Sequence, residues 1–169
     1  MKLIHAAVAA IALVASPAYA ADDGFYVEGG IGYYQLDIGG GWDAGDTAYK
    51  LGAGYNFMKY FGVEVEWIDG GSPKKYGETV DINGWNFSAI GRWPVSEQFE
   101  VFAKLGALMW NADLSGYVRG SDDGTDFSWG LGAGWNFTDH FTVNAEYQGF
   151  EIADTYASEL WIASAVWRF

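Results

Sequence analysis

From Phe25 to Phe169 the chain alternates large apolar residues with small or polar ones at a period of two, in eight separate runs. Period two puts successive side chains on opposite faces of a β-strand, and no helical period of useful length competes with it. The runs are 25–34, 49–57, 61–68, 85–93, 101–110, 127–137, 141–148 and 161–169. In all of them one face is built from residues such as Phe25, Val27, Leu51, Val63, Phe87, Leu105, Leu131, Val143 and Trp167. The other face holds every charge in the runs: Glu28, Lys50, Glu64, Glu66, Arg92, Lys104, Glu146 and Arg168.

That segregation decides which face meets what. A soluble eight-stranded barrel buries its apolar set inside and points charges outward, so its exterior is not Trp, Phe, Leu and Ala on every strand. On a lipid-facing barrel surface an Arg or Lys near mid-bilayer costs about 2–4 kcal/mol, which accounts for the exclusion. Gly, Ser and Asn on the opposite face suit an interior wide enough only for side chains. Closure also pairs every backbone group, as hydrocarbon demands. The expected fold is therefore all-β: an eight-stranded antiparallel up-and-down transmembrane β-barrel. Aromatic residues crowd both strand ends, with Tyr55, Phe61, Trp93, Trp135 and Trp167 at one and Trp67, Trp85, Phe127, Tyr147 and Trp161 at the other. Two such girdles mark two membrane interfaces.

Connections alternate in length. Short turns at 58–60, 94–98 and 138–140 contrast with polar stretches at 37–46, 69–79, 111–124 and 149–157, read as long loops. Short periplasmic turns and longer extracellular loops are the layout of an outer-membrane barrel. Ahead of the runs, Lys2, the apolar stretch Leu3–Ala15, the breaker pair Ser16 and Pro17, and the small-x-small site Ala18, Tyr19, Ala20 have the layout of a secretory signal peptide. The expected organisation is a leader over 1–20 and one barrel domain over 21–169, carried across the inner membrane to the bacterial outer membrane. Without Lys2 the domain holds 8 basic against 22 acidic residues, a net charge of −14. Nucleic acid, whose phosphates require Lys and Arg, is excluded as a partner. The absence of Cys excludes a disulfide scaffold and a thiolate metal site.

The strand that ends the chain carries the most specific pattern: Trp167, Arg168 and Phe169, with aromatic or apolar residues at alternate positions back to Trp161. With Gly24 to Val27 opening the first strand and Lys104 to Ala107 leading to Trp110, the chain resembles an OmpA-like outer-membrane β-barrel domain. The resemblance implies that Trp161, Trp167 and Phe169 belong to a terminal signal read by the barrel-assembly machinery. The family's namesake carries a periplasmic peptidoglycan-binding domain after the barrel. This sequence stops at the barrel, so peptidoglycan anchoring is not carried over.

Chemistry finds little footing. The mature chain has one histidine, His140, in a short turn on the periplasmic side, away from the outer rim and lipid face where barrel enzymes generally place theirs. The run Gly130–Gly134 lies within a strand rather than between strand and helix, so it is no dinucleotide loop. The acidic segment Ser121–Asp126 lacks EF-hand spacing and is read as a solvated loop. No catalytic residue, metal site or cofactor is expected.

The inward charges are the informative group. Four acids (Glu28, Glu64, Glu66, Glu146) and four bases (Lys50, Arg92, Lys104, Arg168) balance, and a narrow interior requires them to pair. Matched height above the short-turn rim predicts Glu64 with Arg92 and Glu28 with Arg168, and a middle layer of Lys104, Glu66 and Glu146. The expected function is a monomeric, non-enzymatic envelope barrel in contact with outer-membrane lipid and lipopolysaccharide, with surface contacts through acidic loops. A narrow channel for ions or small solutes is the alternative, an outer-membrane enzyme the third reading and a soluble periplasmic ligand-binding barrel the fourth.

Overall fold

Each alternating run lies in one antiparallel sheet, because residues whose two faces meet different solvents are satisfied only as strands. The computed structural model describes residues 24–39, 42–75, 78–115, 120–152 and 156–169. The leader read over 1–20 lies outside the described residues. The strands are β1 (Gly24–Gly39), β2 (Trp42–Met58), β3 (Phe61–Asp69), β4 (Lys74–Lys75), β5 (Glu78–Pro94), β6 (Phe99–Ser115), β7 (Gly120–Asn136), β8 (Phe141–Ile152) and β9 (Tyr156–Arg168). β4 is a two-residue ribbon above β3 that pairs with β5, so β3 and β4 share one stave. The order β3-β2-β1-β9-β8-β7-β6-β5 is closed by pairing of β3 with β5. The result is an eight-stranded, all-antiparallel barrel with no helix among the described residues.

The facing follows the alternation. Leu51, Val63, Phe87, Leu105, Leu131 and Trp161 are exposed on the outside, whereas Glu28, Lys50, Glu66, Lys104 and Glu146 are buried within. Both ends of the barrel chain meet at the short-turn rim, where the Phe169 amide donates to the Phe25 carbonyl (3.0 Å). Ring contacts follow the girdles: Phe25 with Tyr55 (4.7 Å) below, and Trp129, Tyr147 and Trp161 in series (5.3 and 4.6 Å) above.

Much of what reads as long loops is strand. β1 and β2 pair up to Gly39↔Trp42, and β6 and β7 up to Leu114↔Gly120. The acidic segment Ser121–Asp126 is the upper part of β7 rather than a loop. A strand of 17 residues is about 55 Å long at ~3.3 Å per residue, well beyond the ~25 Å apolar band even when tilted by about 45°. Toward the top of the β6–β7 hairpin both faces of the sheet meet water, Asn111, Asp113, Ser121, Asp122 and Asp123 all being exposed, so the alternation that betrays a strand fades there.

The inside is filled, not open. Tyr34, Ala48, Ile68, Val80, Ile82, Leu108, Trp110, Phe150, Leu160 and Ile162 form an apolar cluster in the upper lumen. Glycines make room for large neighbours lower down. A Cβ on Gly54 would stand 2.2 Å from the Tyr26 ring, and one on Gly132 2.3 Å from the Phe102 ring. Each of these glycines gives its inward position to an aromatic ring of the neighbouring strand.

Candidate functional site

Below the apolar cluster, six charged side chains converge from β1, β2, β3, β6 and β8. Lys50 Nζ lies 2.8 Å from Glu28, 2.8 Å from Glu66 and 2.6 Å from Glu146. Lys104 Nζ contacts Glu64, lies 2.9 Å from both Glu66 and Glu146, and reaches Glu28 at 3.8 Å. Glu66 is the hub: it also accepts from Asn86 Nδ2 (2.9 Å) and Gln148 Nε2 (3.1 Å). Gln148 donates to Glu146 (2.8 Å), Tyr26 Oη to Glu64 (2.6 Å) and Ser164 Oγ to Glu28 (3.3 Å). Neutral donors thus satisfy the carboxylate oxygens that two ammonium groups cannot reach, as a buried ionic cluster requires.

Oxygens of Glu28, Glu66 and Glu146 lie within 4.8 Å of one another, close enough to ligate a metal ion. The Lys50 ammonium touches all three residues, so a covalently held cation stands among them.

A second layer lies nearer the periplasmic rim. Glu100 accepts from Arg92 (3.0 Å) and Arg168 (2.7 Å), and Arg168 also donates to Asn136 (2.9 Å). The Arg92 guanidinium sits 4.9 Å from the Tyr26 ring centre and 5.6 Å from that of Phe102, a cation–π seat between the layers.

The structure thus corrects the two expected pairs. Glu64 is opposite Ser88 in the β3–β5 register, which leaves Arg92 four residues lower on β5, about 13 Å along the strand. Glu28 is opposite Val166 and Arg168 opposite Tyr26, so that pair is also offset. Counting from the rim ignores the stagger that closure imposes between strands. The balance of four acids and four bases also fails, because Glu100 is a fifth inward acid. It sits just before the alternating run that starts at Val101, and parity with Phe102 and Lys104 was the signal for it. Lys104, Glu66 and Glu146 do share one layer, joined by Lys50, Glu28 and Glu64.

The remaining sites are placed as follows. Trp161 is exposed in the upper girdle and Trp167 in the lower, and Phe169 ends the chain beside β1. His140 lies exposed in the turn before β8, its Nδ1 2.9 Å from the Arg168 carbonyl and its ring stacked on Trp167 at 5.9 Å. A hollow of about 710 Å³ lies over the outer face at Ala133, Ala145 and Ala163, and its lining includes Glu146, whose carboxylate is held in the lumen by Lys50.

This barrel, with a lipid-compatible exterior and a charged, filled interior, matches the family described as Outer membrane protein beta-barrel domain over residues 6–169. The chain belongs to that family. Outer membrane protein A of Yersinia pseudotuberculosis serotype I (strain IP32953) is 32% identical over 166 residues, covering 82% of this chain and 46% of the relative. Outer membrane protein A of Klebsiella aerogenes is 28% identical over 165 residues, covering 86% of this chain and 46% of the relative. The chain therefore spans about half the length of these curated relatives. Among solved structures, Neisserial surface protein A has a TM-score of 0.71 at 14% identity, covering 86% of this chain and 97% of that one. The N-terminal barrel domain of Pseudomonas aeruginosa OprF has a TM-score of 0.66 at 13% identity, covering 87% and 99%. These structural likenesses bear on the fold alone. The protein is an OmpA-like β-barrel of the bacterial outer membrane.

Proposed function

We propose that the protein is a sealed structural barrel of the outer membrane that contributes to the envelope and makes surface contacts through its acidic outer rim. The observation that carries this reading is the layered lumen. An apolar cluster, a six-member charge network and an Arg–Glu–Arg layer follow one another down the axis. A hydrated ion would have to strip its shell at the first layer and break interlocked pairs at the second. In this reading the barrel is monomeric and non-enzymatic, surrounded by outer-membrane lipid and lipopolysaccharide. Divalent cations bridge its outer carboxylates to the lipopolysaccharide phosphates. The barrel-assembly machinery inserts it by reading Trp161, Trp167 and Phe169.

The test is solute permeability. Lipid vesicles containing refolded protein, placed in isotonic small sugar, should swell no faster than protein-free vesicles. Swelling that rises with protein content would replace this reading with that of a narrow channel.

A further inference from the structure

β7 outgrows one of its two neighbours. It pairs with β6 along nearly its whole length, from Phe99↔Trp135 to Leu114↔Gly120, without a register shift. On the other side it pairs with β8 only between Ser128↔Phe150 and Asn136↔Thr142. Beyond Phe150, β8 continues with β9 through Glu151↔Ala157 and Ile152↔Tyr156. Residues 120–127 therefore present an open strand edge, with no partner strand on that side among the described residues. The edge lies at the rim opposite the chain ends and short turns, which is the extracellular rim of such a barrel.

An unpaired edge offers a row of backbone donors and acceptors, and proteins usually blunt one with proline, a bulge or charged side chains, lysine above all, which repel a like-charged strand. Residues 120–127 contain no proline and no lysine, and the ladder to β6 has no bulge. They carry Asp122, Asp123 and Asp126 and no basic residue, and Asp113 on β6 pairs with Ser121. Asp122 and Asp123 are exposed, the Asp123 amide donating to Asp122 Oδ1 (3.0 Å), a local bond that an incoming strand would replace, whereas Asp126 accepts a hydrogen bond from Trp110 Nε1. Aspartate discriminates between occupants. A second copy adding its own edge would bring aspartates against aspartates, and like charges across a strand pair are destabilising. A strand bearing Lys or Arg would gain both the backbone bonds and the charge match.

We propose that the upper edge of β7, residues 120–127, docks an extended basic peptide segment of another protein by strand addition. This deepens the surface-contact part of the proposed function and rests on the outward-facing rim, not on a sealed lumen. A leaky barrel would leave it standing.

The experiment uses the refolded full chain in lipid nanodiscs and a fluorescent synthetic peptide alternating lysine with threonine. Two control peptides accompany it, one with glutamate for lysine and one N-methylated at every residue. The lysine peptide should bind saturably and slow amide hydrogen exchange in 120–127. The Asp122→Lys, Asp123→Lys double variant, checked for folding by its gel shift, should lose at least about tenfold in affinity for it and gain the glutamate peptide. Equal binding of the N-methylated peptide, which cannot complete the ladder, would show attraction by charge alone and overturn the proposal. So would edge amides already protected before peptide is added, or self-association of the protein through this edge.

Discussion

Lys50 on β2 and Glu146 on β8 meet at 2.6 Å across the lumen, although β1 and β9 stand between their strands along the wall. Their contact ties opposite sides of the barrel directly. Lys104 on β6 reaches past β5 to Glu66 on β3 at 2.9 Å, and across the lumen to Glu28 on β1 at 3.8 Å. The interior is thus a cross-brace whose removal is felt by the whole cylinder.

Removing one lysine should therefore be severe. Lys50→Met leaves the carboxylates of Glu28, Glu64, Glu66 and Glu146 to share Lys104 alone, and breaking such a buried cluster costs about 3–5 kcal/mol. Urea unfolding of the protein in lipid vesicles should show that loss. Glu146→Gln, which keeps an oxygen acceptor for Lys50 and leaves that lysine two other carboxylates, should lose clearly less.

In the lower layer the acid matters more than either base. Glu100→Gln leaves Arg92 and Arg168 without their common carboxylate, whereas Arg92→Gln leaves Glu100 paired with Arg168 at 2.7 Å. The first substitution should destabilise by more, by about 1–2 kcal/mol, since a buried charge left unpaired is the costlier state. Equal losses in parallel unfolding curves would contradict the shared-carboxylate geometry.

The outer face should punish charge according to depth. Leu131→Arg, in the apolar band, should cost about 2–4 kcal/mol, and Trp135→Arg, at the periplasmic girdle, about 0–1 kcal/mol. A difference in urea midpoint between these variants in vesicles checks the placement of the membrane.

Assembly should depend on the last strand. Deleting Phe169 removes the amide that bonds Phe25 at 3.0 Å and the final side chain of the terminal pattern. Outer-membrane fractions should then contain several-fold less folded, heat-modifiable protein on an SDS gel. Normal levels would mean that Trp161 and Trp167 do not act together with Phe169 as a signal.

Facing was legible in the sequence because two solvents enforce it. Leu51 and Lys50 are neighbours in the chain, and one could only go to lipid and the other only inside. Strand ends were harder to read. Asn111, Asp113, Asp122 and Asp123 carry no alternation because water lies on both sides of the sheet there, so the tall β6–β7 hairpin read as a loop. The apolar cluster of Leu108, Trp110, Leu160 and Ile162 escapes the sequence for another reason. Leu108, Trp110 and Ile162 take inward positions within the runs 101–110 and 161–169, but their outward neighbours are apolar too, so no contrast between the faces marks an apolar layer inside. Pairing inside the lumen depends on inter-strand stagger, a property of closure rather than of any one strand, so Glu64 was matched with Arg92 when its partner is Lys104. Most residues that enter the lumen could be read, Glu100 excepted, and so could the grouping of Lys104 with Glu66 and Glu146, but not the pairs that each charge makes.

Electrical conductance tests the central claim most directly. Refolded protein inserted singly into a planar lipid bilayer in about 1 M salt, where long-range attraction is screened within about 3 Å, should give at most rare and small current steps. Lys50→Met and Lys104→Met, which loosen the braced layer, should raise their frequency. Large, steady current through the unaltered protein would show an open path along the axis, and the account of a sealed barrel would be wrong.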